Sequence, residues 1–340
     1  MQTFAVAFRC HVSGQATTVR NDSAERRTIP PALIEDARKH VYEACVRTPL
    51  VRLNYESAPA EIYLKLENLQ PIGSFKIRGA YNAVRLLPAS ERAAGVWTVS
   101  AGNAAQGVAL AARKAGVPCS VLVMDTAPET KLSAITRLGA SIVKASFDEC
   151  WQALSERRHP RMNGTMVHPF EDDEFIAGNA TCGLEILEDL PDVDAVVAAF
   201  GGGGITCGIA TATRAARPGV KVFAAEPQSA SPLAYSFEKG SAQTFPNWQR
   251  TWVDGCGGKS VFPRMWALAN HLLEGSIVVT LDEIRRAMKL VAERNHVIAE
   301  GAGACAVAAA LSGKCGSGKV VAVVSGGNID LNKFTELTAS

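Results

Sequence analysis

Apolar and polar positions along this chain switch repeatedly between a period of two and a period near 3.6. The stretch 61–66 alternates apolar and polar side chains, as a half-buried strand does. Ser74 then stands where it would cap a helix carrying Ile77, Ala80, Tyr81, Val84 and Leu87. The alternation continues with a strand over 96–100 and a helix over 103–115 closed by Gly116. A strand over 119–124 follows, then a helix opened by Pro128 and ended by Gly139. Further strands are predicted at 141–144 and 165–168. In the second half, 194–199 is a nearly unbroken apolar run, which suits a parallel sheet covered on both faces. Four glycines and a helix come after it, and strands are predicted at 220–225, 276–280 and 319–324. Strict β-α alternation predicts an α/β protein with doubly wound parallel sheets. The stretch 241–263 has little periodicity and reads as a long ordered loop.

Length and composition refine this picture. The chain has 340 residues, enough for two medium domains. Lys+Arg 35 against Asp+Glu 33 gives a net charge of +2, which offers no electrostatic reason for a nucleic-acid or membrane partner. The nine cysteines are scattered without a C-x-x-C pair, as expected of reduced thiols in a cytoplasmic protein; Cys207 and Cys305 read as small packing residues. No apolar run approaches the ~20 residues of a membrane span. Residues 1–30 carry five basic residues (Arg9, His11, Arg20, Arg26, Arg27) and no long apolar segment, so they read as an irregular extension and not as a signal peptide.

Four constellations carry chemistry. In Phe200-Gly-Gly-Gly-Gly-Ile205, glycines lead from a strand into a helix, an arrangement that fits a phosphate at a helix N-terminus. A tight turn without a ligand needs only one glycine. A dinucleotide site is the rival, because Glu226 ends the next strand, but G-x-G-x-x-G fails at Thr206 and Cys207. No Walker Gly-Lys-Ser/Thr follows either. Lys76, in Pro71-Ile-Gly-Ser-Phe-Lys-Ile-Arg-Gly79, is by itself more readily a solvated lysine at a helix start. Ser100-Ala-Gly-Asn-Ala104 reads as a nest for a carboxylate or phenolate oxygen, or as an ordinary capped helix. Ser325, in Val324-Ser-Gly-Gly-Asn-Ile329, follows the last strand and either caps a turn or faces a ligand. All four fall at the carboxyl ends of predicted strands, where α/β proteins bind ligands.

The order of these motifs, from Thr48-Pro-Leu50 to Asn328, resembles the fold-type II pyridoxal-phosphate (PLP) enzymes, in particular the threonine dehydratase and serine racemase branch. His168-Pro-Phe170, Ile176-Ala-Gly178, Gly183-Leu-Glu-Ile186, Ala225-Glu-Pro227 and Glu300-Gly-Ala-Gly303 extend the likeness. The resemblance implies a tryptophan-synthase-β-like fold, with 31–93 and 170–340 as a large PLP-binding domain and 94–169 as a small one. It implies that Lys76 holds PLP covalently and takes the Cα proton, with Ser100 as the second catalytic candidate. Phe75 would pack beside the cofactor. Gly201, Gly202, Gly203, Gly204 and Ile205 would bind its phosphate, Asn103 its ring hydroxyl and Ser325 its pyridine nitrogen, with Glu300 in the same pocket. Ser100, Ala101, Gly102, Asn103 and Ala104 would hold the substrate carboxylate. The implied reaction turns a small β-hydroxy amino acid such as L-threonine or L-serine into a 2-oxo acid and ammonia, in a cytoplasmic homodimer.

This sequence also departs from that pattern. Ala104 replaces a usual histidine, which would open space for a β-substituent bulkier than a methyl. Gly178-Asn-Ala-Thr181 stands where Gly-Gln-Gly-Thr is usual. Racemase members place a serine, as second base, where this chain has Ala101, so elimination is expected over racemisation. Pro232 occupies the place of a second acid at the cation site of racemase-like members, so no metal is expected beside Glu226. The chain ends soon after Asn328, so feedback through the C-terminal regulatory domain of biosynthetic threonine dehydratases is not expected. The alternatives are a racemase, a dehydratase for phenylserine-like substrates, and a PLP-binding carrier without turnover.

Overall fold

A computed structural model describes residues 26–339. The expected N-terminal extension lies outside the described residues up to position 25. The elements, in order, begin with α1 (Pro31–His40), β1 (Leu50–Arg52), β2 (Glu61–Lys65), α2 (Lys76–Leu86), α3 (Ala89–Ala93) and β3 (Val96–Val99). Then come α4 (Asn103–Ala115), β4 (Cys119–Met124), α5 (Glu129–Arg137), β5 (Ser141–Ala145), α6 (Phe147–Glu156), β6 (Thr165–Met166) and α7 (Asp173–Asp189). The rest are β7 (Ala195–Ala199), α8 (Gly204–Ala216), β8 (Lys221–Pro227), α9 (Pro232–Lys239), α10 (Pro263–Leu272), β9 (Gly275–Val279), α11 (Leu281–Asn295), α12 (Gly301–Leu311), β10 (Lys319–Val323) and α13 (Leu331–Thr338).

The strands form two sheets. One has six strands in the order β1-β2-β10-β7-β8-β9, parallel except for β1 at its edge. The other has four parallel strands in the order β5-β4-β3-β6. The protein is thus α/β with two parallel-sheet layers, as the alternating pattern predicts. The apolar run in β7 has a direct cause. Ala195, Val197 and Ala199 face the core that contains α11, α12 and α13, while Val196 and Ala198 face the core that contains α7, α8 and α10. A strand buried on both faces cannot alternate with polar residues. In the smaller sheet, Val96, Val121 and Val123 pack on α2, α4 and α5. Trp97 and Leu122 pack on the other side with Cys150 and Ala153 of α6.

Two local expectations need correction. Ser74 does not cap α2: the helix starts at Lys76 without a side-chain cap, and the Ser74 hydroxyl is buried with no protein partner. Ser74 instead forms a backbone bridge to Gly326, which holds it extended. The strand expected over 165–168 stops at Met166, because the His168 N–H turns to the Asp172 carboxylate (2.7 Å). The eight described cysteines are free and buried, and burial pushes the Cys207 thiol up to about 12. No helix among the described residues is long and apolar enough to cross a membrane.

Candidate functional site

The four constellations all lie where a strand hands over to the next segment at its carboxyl end. Lys76 opens α2 after β2, Ser100 to Gly102 join β3 to α4, Gly201 to Gly203 join β7 to α8, and Ser325 follows β10. Hydrogen bonds tie three of them together. The Phe75 N–H donates to the Ser325 carbonyl (3.1 Å), and the Gly327 N–H to the Gly73 carbonyl (2.9 Å). Asn328 Nδ2 donates to Asn103 Oδ1, and Asn103 Nδ2 donates to Glu300 Oε1, each at 2.7 Å. Asn103 is therefore fixed at both ends of its amide, with one N–H still to give. The glycine loop joins through the long loop 241–263. A Cβ on Gly201 would come within 2.6 Å of the Gly255 carbonyl, and one on Gly255 within 3.3 Å of Glu300 Oε1. Before α10 begins at Pro263 that loop has no helix or strand, but it is anchored by the Trp248 indole N–H on the Gly257 carbonyl (3.0 Å).

Lys76 lies deep in the structure yet is not fully covered, as a group lining a cleft is. Its Nζ donates to the Pro169 carbonyl (2.6 Å) and stands 5.1 Å from the Phe75 ring centre. Burial pulls the amine down to about 8, against a smaller opposing pull from Glu300. It is thus a nucleophile and a base near neutral pH, unlike an exposed lysine. Burial pushes Glu300 up to about 8, assisted by Asp254 and opposed by the Asn103 hydrogen bond. His168 is held neutral, its ring pulled down to about 3 by burial and then by Arg157 and Lys76.

The helix start at α8 suits an anion. Its cap is Gly203 at φ +88°, a left-handed conformation that favours glycine, and no side chain caps it. Its first N–H groups are free of any capping carboxylate. Gly202 has a second reason to be glycine, since a Cβ there would meet the Phe170 ring at 2.1 Å. Among the described residues no side-chain partner binds the Ser325 hydroxyl, and Ser325 is only 3% exposed. A covalent amine, an anion cradle, an oriented amide and a neutral hydroxyl are the groups PLP requires, so the residues fit it. Ser100 Oγ accepts the Gly102 N–H (3.0 Å) and so shapes the turn that leads into α4. Ala104, 4% exposed, is packed into the first turn of α4, and Ala101 rather than Ala104 borders the cavity described below.

Glu226 is satisfied by the protein itself. Its carboxylate accepts the Leu233 and Ala234 N–H groups (2.8 Å each) and the Ser276 hydroxyl (2.6 Å), capping α9 behind Pro232. Among the described residues no group of three His, Cys, Asp or Glu side chains could hold a metal. Sequence reasoning does not find the aromatic wall of His168, Phe170, Phe262 and Trp151. Their rings meet at 4.5 Å (His168–Phe170), 5.3 Å (Phe170–Phe262) and 5.6 Å (Trp151–Phe262).

Comparison with known proteins gives consistent matches. The model of a family described as pyridoxal-phosphate dependent enzyme matches residues 41–326. The L-threonine ammonia-lyase of Thermotoga maritima is 40% identical over 89% of this chain and 77% of its own. Among solved structures, maize serine racemase superposes with a TM-score of 0.84 at 32% identity, over 92% of this chain and 96% of that one. Threonine deaminase isoform 2 of Solanum lycopersicum gives 0.80 at 30%, over 95% and 98%.

Proposed function

Because the chain belongs to the pyridoxal-phosphate dependent enzyme family, we propose that it is a PLP-dependent dehydratase, converting a β-hydroxy amino acid such as L-threonine or L-serine to a 2-oxo acid and ammonia. The observation that carries this reading is the buried Lys76 amine, held near 8 at the meeting point of the strand ends, beside the 100–104 turn. Lys76 would hold PLP covalently, the α8 N-terminus its phosphate, Asn103 its hydroxyl, with Phe75 and Glu300 beside it. When bound, PLP supplies an electron sink for negative charge at the substrate Cα. The Lys76 amine would take the Cα proton. The turn 100–104 orients the substrate through its carboxylate, and the aromatic wall keeps water from the reacting carbon. The working unit is a cytoplasmic homodimer, with 31–93 and 170–340 as the large domain and 94–169 as the small one. A panel of β-hydroxy amino acids assayed for 2-oxo acid and ammonia tests the reading. Release from none of them by the PLP-loaded protein would overturn it.

Ser325 offers the pyridine nitrogen a neutral hydroxyl and not an acid. Ser325→Asp should keep PLP, seen by absorbance, but slow elimination. An aspartate favours a protonated ring, which over-stabilises the carbanion and weakens the push on the hydroxyl. Each ~1.4 kcal/mol of such stabilisation slows the step roughly tenfold. Elimination at the original rate would show that this electronic role is wrong.

Racemisation requires a proton donor on the far face of the Cα carbanion, and the methyl of Ala101 has none. Ala101→Ser should therefore raise the ratio of racemisation to elimination, read by chiral chromatography of recovered serine. Fast racemisation by the unaltered protein would reverse the assignment.

A further inference from the structure

A cavity of about 160 Å³ opens beside the turn assigned to the substrate carboxylate. Ser100, Ala101, Leu122 and Leu154 line it, together with the partly exposed rings of Phe147 and Trp151. Those two rings stack at 6.5 Å with planes 8° apart. Trp151 also touches Phe262, and Phe262 lies 5.9 Å from His168, next to the Pro169 carbonyl that holds Lys76 Nζ. One apolar wall thus runs from the cavity to the reacting amine. An apolar cavity of roughly 150 Å³ is large enough to hold benzene, so this one accepts a phenyl ring, whereas the methyl of threonine leaves most of it empty.

We propose that this cavity is the subsite for the substrate's β-substituent, and that the substrate class filling it is the β-aryl β-hydroxy amino acids, of which phenylserine is the simplest. The proposal rests on the dehydratase reading. Its chemistry balances without an oxidant: the Cα proton and the β-hydroxyl leave as water, and hydrolysis of the enamine returns one water. The net products of phenylserine are phenylpyruvate and ammonia.

Filling the cavity tests the idea. Leu154 lies on α6, and Leu154→Phe places a ring in the space. In the holoenzyme this variant should lower kcat/KM for phenylserine roughly 10- to 100-fold more than for threonine, as loss of an apolar pocket does. Cys150→Phe fills the same space and replaces Leu154→Phe if that variant does not fold. A binding readout accompanies the kinetics. L-phenylalanine has the ring but no leaving hydroxyl, so it should raise Tm more than L-alanine in the unaltered protein and lose that advantage in the filled variant. Equal phenylserine kinetics in filled and unaltered enzyme would overturn the subsite, as would turnover of threonine but not of phenylserine. Turnover of none of threonine, serine and phenylserine would instead sink the dehydratase reading, and the subsite with it.

Discussion

Lys76→Ala is expected to abolish both a borohydride-reducible adduct with PLP and the release of 2-oxo acid. The argument begins with position. Lys76 is the first residue of α2, and its Nζ is held at 2.6 Å from the Pro169 carbonyl. Burial brings the amine down to about 8, so near pH 8 about half of the free amines are neutral, against less than ~1% for an ordinary lysine. Alanine removes the covalent tether and the base together. A positioned proton-transfer group alone contributes up to ~10⁴-fold, so kcat/KM should fall by at least that factor. Lys76→Met, which keeps most of the volume, separates this loss from a packing defect and should be equally inactive. Peptide mapping of the reduced holoenzyme checks the assignment. An adduct on any other lysine, or retained turnover in Lys76→Met, would show that the amine lies elsewhere.

The β-α order is legible because burial on two faces leaves apolar runs such as 195–199 and because glycine ends helices, as Gly116 does after α4 at φ +67°. The motif residues are legible because chemistry confines them to strand ends. What the chain pattern cannot carry is contact over long separations. Asn103 and Glu300 meet although 197 residues apart, and no periodicity encodes that pairing. Ser74 has the chemistry of a cap, yet its backbone bridge to Gly326 overrides the local preference. A similar competition ends β6 at Met166, where Asp172 captures the His168 N–H. The helix α6 carries a capping box of Ser146 and Glu149, a signal present in the sequence. Its role depends on the smaller sheet beneath it and on Phe262 from the other half of the chain. The glycines of Arg78-Gly79 and Ala177-Gly178 are another case: a Cβ on either would meet the opposing helix at 2.4 Å. Their reason is the close crossing of α2 and α7, which becomes visible only in three dimensions.

That crossing also encloses the charged cluster with the largest expected effect on stability. Arg78 is fully buried two residues after Lys76. Its guanidinium donates to Glu67 at 2.7 and 2.8 Å, to Glu185 at 2.7 and 2.9 Å, and to Thr181 at 3.1 Å. Buried Lys65 donates to Glu185 and to the Thr48 carbonyl, each at 2.7 Å. Two buried cations thus balance two buried carboxylates, while the partly exposed Asp189, 3.5 Å from Lys65, is paired with Arg47. Burial pushes Glu185 up, but Arg78 and Lys65 together outweigh it and hold the carboxyl below its usual range. Arg78→Met leaves two buried carboxylates facing one lysine. Breaking a buried pair in this way costs about 3–5 kcal/mol, a large share of the ~5–15 kcal/mol of a typical domain. The sign of the pH dependence follows from Glu185, whose stabilising charge Arg78 supports. Because its pKa is held below the usual range, it contributes stability that is present above the unfolded carboxylate pKa and lost as pH falls towards the folded value. The variant's deficit against the unaltered protein, measured by denaturant unfolding, should therefore be larger at neutral pH and shrink as pH falls below the usual carboxylate range. Adding Glu67→Gln removes the uncompensated charge and should recover part of the loss, while Lys65 and Glu185 keep each other. A loss below ~1 kcal/mol, or a double variant no more stable than Arg78→Met alone, would mean that charge balance does not anchor α2. If the cluster does anchor it, Arg78→Met should also weaken PLP retention, because the first turn of α2 that carries Lys76 then loses its charged anchor.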